Sequence, residues 1–192
     1  MGNASQLGEQ VLALIAEGRQ QLVQRAGAVS GGCAVGAAAR RVLTLAVGEA
    51  QRLRHGYVGT GHLLLGVLGD AQQPCVQQLS ALGVDEGRVR PIFSRLVSHV
   101  AGSPRGTLVV APAAERALDR ALQEAVHLHQ DTLMPHHLLL GLARHNQGLG
   151  ALILESLDVD LARLRASTRR AIRRAGVPRA AGLRRPTAPT AP

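Results

Sequence analysis

The chain is expected to be all-α, and three observations say so. A duplication runs through it: His62-Leu63-Leu64-Leu65-Gly66 returns as His137-Leu138-Leu139-Leu140-Gly141, and the offset of 75 positions holds without a gap from Arg41/Arg116 to Arg90/Arg165. Leu43/Leu118, Ala46/Ala121, Glu49/Glu124, Leu53/Leu128, Leu79/Leu154 and Asp85/Asp160 all agree inside that register. A self-similar period of this length marks a repeat architecture and governs every local reading. The core must also be aliphatic, since one Tyr, one Phe and no Trp leave Leu, Val, Ile and Ala to supply the buried surface. That mixture, with few β-branched runs, suits helices packed on helices. Finally, Gly and Pro fall where helices would start and stop rather than between alternating runs.

The elements follow in order. Leu7, Val11, Leu14, Ile15, Leu22 and Val23 share helical spacing and predict one amphipathic helix over 7–26, whose role is to cap the body or hold a partner. A Gly-rich linker follows, so 1–34 form a first unit. The first repeat, about 35–100, opens with a helix from Ala37 to Arg54. Thr60 is expected to cap a second helix through Leu68, Pro74 to open a third that Gly83 ends, and Asp85 to cap a fourth. Ala101 to Pro112 reads as a linker. The second repeat, about 111–175, predicts helices near 113–129, 135–144, 149–157 and 160–174, which gives a double repeat over 35–175. Residues 176–192 form a basic, Pro-rich tail expected to be disordered.

Composition excludes several functions. All 22 basic residues are Arg, so Schiff-base chemistry and the phosphate-binding Lys of a P-loop are absent. Neither a GxSxG elbow nor a GxxxxGK[ST] stretch occurs, and no enzyme activity is expected. Two cysteines, Cys33 and Cys75, are too few for a disulfide scaffold and read as reduced thiols of a cytoplasmic protein. No signal peptide is expected, because Val11 to Ala16 is too short an apolar run, and no stretch is long enough to span a membrane. Eight histidines invite a metal reading, but His127, His129, His136, His137 and His145 lack the spacing of a ligand set, so neither metal nor cofactor is expected. Glu49 and Glu124 recur symmetrically and read as structural carboxylates that hold helix ends of the adjacent repeat. The formal charge of +9 is concentrated toward Arg163, Arg165, Arg169, Arg170, Arg173 and Arg174 of the last helix and the tail. Positions 163, 170 and 174 share a face, so a nucleic-acid-associated role is the alternative function, against a solvated basic face.

The run Ala39-Arg40-Arg41-Val42-Leu43, then Glu49-Ala50, then His55-Gly56-Tyr57-Val58-Gly59-Thr60-Gly61-His62-Leu63-Leu64-Leu65-Gly66, resembles the N-terminal Clp repeat domain of Clp/Hsp100 unfoldases, and most of all the ClpC branch. The resemblance covers about Val35 to Arg174. It implies two four-helix repeats related by a pseudo-twofold axis, with no chemistry of their own. It also implies a docking platform for Clp ATPase or protease components, adaptor proteins or substrate peptides, and in some members for phosphorylated arginine or cyclic peptide ligands. Without ATPase modules, the chain is similar to stand-alone Clp N-domain proteins that modulate regulated proteolysis or sequester a peptide. The family groove maps by resemblance onto Val35, Gly36, Gly61, Val110, Ala111 and His136. Family members usually carry Glu where Gly61 and His136 stand, Thr at Gly36 and Ala111, and Phe at Val35 and Val110. A carboxylate pairs bidentately with guanidinium, whereas Gly cannot and a charged His would repel it, so the groove is degenerate. Gly61→Glu together with His136→Glu is expected to confer phosphoarginine affinity.

Overall fold

A computed structural model describes residues 33–97, 108–144 and 148–175, together with Glu9 and Ala13. The expected N-terminal helix falls almost wholly outside the described residues, as do the inter-repeat linker and the tail. Among the described residues, eight helices build the two repeats. In the first repeat they are α1 (Ala37–Arg52), α2 (Thr60–Leu68), α3 (Pro74–Ala81) and α4 (Glu86–Val97). In the second they are α5 (Pro112–His127), α6 (Pro135–Arg144), α7 (Leu149–Ser156) and α8 (Leu161–Ala175). All lie within three residues of the ranges expected from periodicity and punctuation.

The repeated His-Leu-Leu-Leu-Gly runs form the centre. Every residue of α2 is buried, and in α6 only His136 and Arg144 are not. The glycine of each run exists because two helices touch there. A Cβ on Gly66 would lie 2.4 Å from the Val42 carbonyl oxygen of α1, and one on Gly141 would lie 2.2 Å from that of Ala117 on α5. The facing Ala46 and Ala121 are fully buried, so small residues on both sides let the backbones meet. The histidine of each run closes its helix start. The Gly59 N–H donates to His62 Nδ1 at 3.0 Å, and the Met134 N–H donates to His137 Nδ1 at 3.1 Å. An imidazole thus fills the place that Glu takes in a capping box.

Thr60 does not cap α2 as its position suggested; Gly59 does. Its hydroxyl instead accepts the Gly150 N–H near the start of α7, 3.1 Å away in the other repeat. The expected acidic cap of α4 is present, with Asp85 Oδ1 accepting the Arg88 N–H at 2.9 Å, and Asp160 does the same for Arg163.

Four two-residue strands add what periodicity did not show. β1 (Ala34–Val35) pairs in parallel with β4 (Thr132–Leu133), and β2 (Tyr57–Val58) with β3 (Val109–Val110). Each strand of one repeat therefore finds its partner in the other. The exchange is reciprocal, since adding 75 to the β1 and β2 positions gives those of β3 and β4. The Gly36 N–H donates to the Leu133 carbonyl at 3.0 Å, and its equivalent, Ala111, donates to Val58 at 3.0 Å. Left-handed residues recur with the same offset: Arg54 and His129 at φ 55° and 54°, Gly83 and Asp158 at φ 75° and 60°.

Candidate functional site

The six groove positions separate into two groups related by the pseudo-twofold. Val35 and Gly36 run beside Leu133 and Met134, at the start of α6 that carries His136, and a Cβ on Gly36 would lie 2.8 Å from the Met134 sulfur. Val110 runs beside Val58, and Ala111 caps α5, next to the start of α2 that carries Gly61. All are half-buried except Gly61, which is buried.

The two ends differ in what fills them. In the first repeat, Phe93 of α4 lies directly over Gly61, and a Cβ at position 61 would come within 2.3 Å of a ring carbon. The ring is 1% exposed and packs edge-on against His62 at 5.0 Å between centroids. Gly61 is thus a seat for an aromatic ring. A glutamate at 61 needs Phe93 to move first, so Gly61→Glu with His136→Glu is not sufficient without a smaller residue at 93. Sequence reasoning fixed on position 61 and missed its partner, although the mismatch of Phe93 with Thr168 was visible in the 75-residue register.

In the second repeat the corresponding residues are Thr168, His136, Gln130 and Met134, and all four line a cavity of about 240 Å³. The rest of its wall comes from the start of α3, including Cys75 and Gln78, and from Ala171 and Ile172 of α8. The reason is local. Across the first end, α7 approaches α2 through Gly148 and Gly150, where any Cβ would fall 2.6 Å from the Thr60 hydroxyl and 2.8 Å from its carbonyl oxygen. Their equivalents across the second end are Gln73 and Cys75, whose side chains forbid the same approach to Pro135. Gln78 spans the wall instead: Thr168 Oγ1 donates to its Oε1 at 3.2 Å and its Nε2 donates to Ser167 Oγ at 2.7 Å.

The groups around this cavity are neutral. Burial pushes His136 down to about 4 and, with His136 beside it, His137 down to about 3. The repulsion of guanidinium expected from a charged His136 therefore does not arise at neutral pH; what the site lacks is a carboxylate. Burial pushes the Cys75 thiol up to about 11, which makes it a poor nucleophile. With Nδ1 accepting, the His62 ring carries its proton on Nε2 and donates to His55 Nδ1 at 2.9 Å. The same tautomer leaves His137 Nε2 buried with no hydrogen-bond partner among the described residues. Its repeat counterpart of His55 is Gln130, which faces His136 at 3.4 Å.

The symmetric carboxylates are structural, but each acts within its own repeat rather than across to the other. Glu49 receives Arg90 of α4 at 2.7 and 3.0 Å and also Arg52. The hydrogen bond from Arg90 holds it below the usual carboxylate range despite burial. Glu124, 1% exposed, receives Arg169 of α8 at 2.9 and 2.6 Å and Arg144 of α6 at 3.0 Å. Burial raises it, and the two guanidinium groups outweigh burial to leave it lowered. Of the α8 arginines, Arg169 is held by Glu124 and Arg165 donates to the Ala143 carbonyl at 2.9 Å. Arg163, Arg170, Arg173 and Arg174 are exposed. Among the described residues, no three His, Cys, Asp or Glu side chains gather to hold a metal, and no helix is long and apolar enough to cross a membrane.

Residues 34–125 and 110–182 each match the family described as the Clp repeat (R) N-terminal domain. This chain belongs to that family. Over 134 residues it is 34% identical to the ATP-dependent Clp protease ATP-binding subunit ClpC of Staphylococcus epidermidis, and over 135 residues equally so to that of Staphylococcus aureus strain USA300. Those matches span 70% of this Clp repeat chain and 16% of each relative. Among solved structures, the N-terminal domain of the chaperone ClpD from Arabidopsis thaliana superposes with a TM-score of 0.60 at 18% identity, covering 72% of this chain and 94% of that one. A structure titled as part of a malarial protein secretion system gives 0.60 at 19%, covering 76% and 99%. The Clp repeat fold is therefore shared.

Proposed function

We propose that the chain is a non-catalytic docking module of the Clp N-domain type. It binds peptides, adaptors or Clp subunits in the cytoplasm and so modulates Clp-dependent degradation or sequesters a peptide ligand. The observation that carries this reading is a Clp repeat body whose buried ionisable groups are taken up structurally: Glu49 and Glu124 by arginines, His62 and His137 by helix starts. What remains for a partner is the groove along Val35, Gly36 and His136 at one repeat end and along Val110 and Ala111 at the other, where Phe93 covers Gly61. Two charged glutamates are missing there, so the ligand differs from phosphoarginine. Crosslinking and mass spectrometry on the full chain in its native cytosol tests the reading. Recovery of a Clp subunit, adaptor or protease substrate is the expected outcome, and a catch with none of these overturns it. Calorimetry with cyclic peptides directed at Clp N-domains tests the sequestering form, which predicts measurable heat.

The exposed Arg163, Arg170, Arg173 and Arg174 favour a second reading, nucleic-acid association. It predicts binding that weakens steeply with salt and vanishes on truncation after Leu161. Absent or salt-independent binding excludes it.

A further inference from the structure

We propose that the cavity at the second repeat end is a receptor for a single aromatic side chain, presented by a partner peptide with acidic residues beside it. The proposal rests on the peptide-docking reading above and specifies its ligand. The pseudo-twofold supplies the argument. At the first end the equivalent space is filled by a ring that the chain itself provides: Phe93 lies on Gly61, faces His55 at 6.2 Å and His62 at 5.0 Å between centroids, and is almost wholly buried. At the second end Thr168 stands in place of Phe93, and Gln73 and Cys75 stand in place of Gly148 and Gly150, so the ring is missing and the facing helix is held further off. The residue opposite, His136, is too small to close the space, and about 240 Å³ remains. An apolar cavity of roughly 150 Å³ already accepts benzene, so one aromatic side chain fits.

The lining chooses among rings and charges. Met134, Ile172, Ala171 and Pro74 offer apolar surface, while His136, Gln130 and the linked Gln78 and Thr168 offer neutral polar atoms. Among the described residues, no carboxylate lines the cavity to accept a guanidinium or ammonium group, and no Arg lines it to receive a phosphate. An uncharged ring meets neither penalty, and a phenolic hydroxyl would find His136 or Gln130 within its reach. Beside the cavity, α8 carries the exposed Arg170, Arg173 and Arg174 and, like α3, contains no acidic residue, while Asp70, which accepts from the lining Gln73 at 3.0 Å, is already paired with Arg41. Acidic neighbours of the anchoring ring therefore complement the arginines that α8 carries past the cavity.

The test uses the full chain and two probes, N-acetyl-phenylalaninamide and the peptide Glu-Asp-Phe-Asp-Glu. Titration followed by NMR is expected to shift the amides of Met134, Cys75 and Thr168 saturably, with the peptide binding more tightly than the amide and losing that advantage in high salt. His136→Gly with Thr168→Phe rebuilds the arrangement of the first end and is expected to weaken both probes at least tenfold. Should that pair unfold, Ala171→Tyr on the exposed rim narrows the mouth and is expected to do the same. No saturable shift in the wild-type chain, shifts that persist in these variants, or tighter binding of free phosphoarginine than of the peptide overturns the proposal. A chain that still crosslinks to Clp partners but ignores both probes would sink this inference and leave the docking reading standing.

Discussion

The two repeats carry the same scaffold to different ends. Both close a helix crossing on a glycine, cap the following helix with a histidine and tie the first helix to the last with a glutamate. They differ where those helices meet the opposite repeat. The first end is packed shut by Phe93 on Gly61 and by Gly148 and Gly150 against Thr60, whereas the second is held open by Gln73, Cys75 and Thr168. Duplication thus provides an internal control: shared features report what the fold requires, and unshared ones report what either end is free to do.

The strongest test of the shared part is the glycine crossing. Gly66→Ala and Gly141→Ala each push a Cβ against a carbonyl oxygen, at 2.4 and 2.2 Å, which no rotamer relieves. Each is expected to cost about 3 kcal/mol in chemical denaturation. Equal losses uphold the equivalence, and a cost under about 1 kcal/mol in one copy breaks it.

The carboxylates should separate the copies. Glu124 is fully enclosed while its arginines are partly solvated and can rehydrate, so Glu124→Gln is expected to cost about 2 kcal/mol. Glu49 is more open, and Glu49→Gln is expected to cost about 1 kcal/mol. Reversal of that order would mean that Arg90 orders the first repeat more than Arg169 orders the second.

Acid should act chiefly on the histidines before it reaches the carboxylates. The folded chain holds His62 and His136 at about 4 and His137 at about 3, below the unfolded value near 6.5. Between those values the unfolded chain binds more protons. Stability is therefore full above about pH 6.5 and declines as pH falls toward 4. Each such histidine contributes up to about 1.4 kcal/mol per pH unit in that window. Melting temperatures of His136→Gln across it should fall less steeply than those of the parent chain; an unchanged slope would show that His136 does not titrate with unfolding.

The smallest effect concerns the left-handed turn after the third helix of each repeat, which uses Gly83 in one copy and Asp158 in the other. Asp158→Gly is expected to gain about 0.5 kcal/mol and Gly83→Asp to lose about 1 kcal/mol, because only glycine occupies that region freely. Thermal melts resolve both.

Much of this was legible beforehand. Helix positions followed from aliphatic spacing, from Pro74 and Pro135 at helix starts and from the acidic caps Asp85 and Asp160, because those signals are local. The strands were not legible, since two residues cannot display alternation and their partners lie 98 positions away for β1 and 52 for β2. Thr60 was assigned to its own helix because a hydroxyl one position inside a helix start looks like a cap in sequence, while its true acceptor role depends on how the repeats dock. The carboxylate partners failed for a related reason. Arg165 is the register equivalent of Arg90, yet Glu124 takes Arg169, one turn further along α8 and equivalent to Ser94. Long side chains choose partners by reach, not by register. Positions 61 and 136 drew attention by their residue types, but what surrounds them lay in Phe93 and Thr168, which only the packing brought to them.

The reciprocal strand pairs carry a consequence for how such a molecule can be assembled. Each repeat ends its own surface with an unpaired strand and a place to receive one, which is the geometry of an isologous dimer, with a covalent tether joining two copies that would otherwise associate by concentration. Fusion removes the concentration dependence and also removes the requirement of identity: once the halves are one chain, a ring at one end no longer dictates a ring at the other. It also ties folding to long-range closure, because neither strand pair can form until both halves are made.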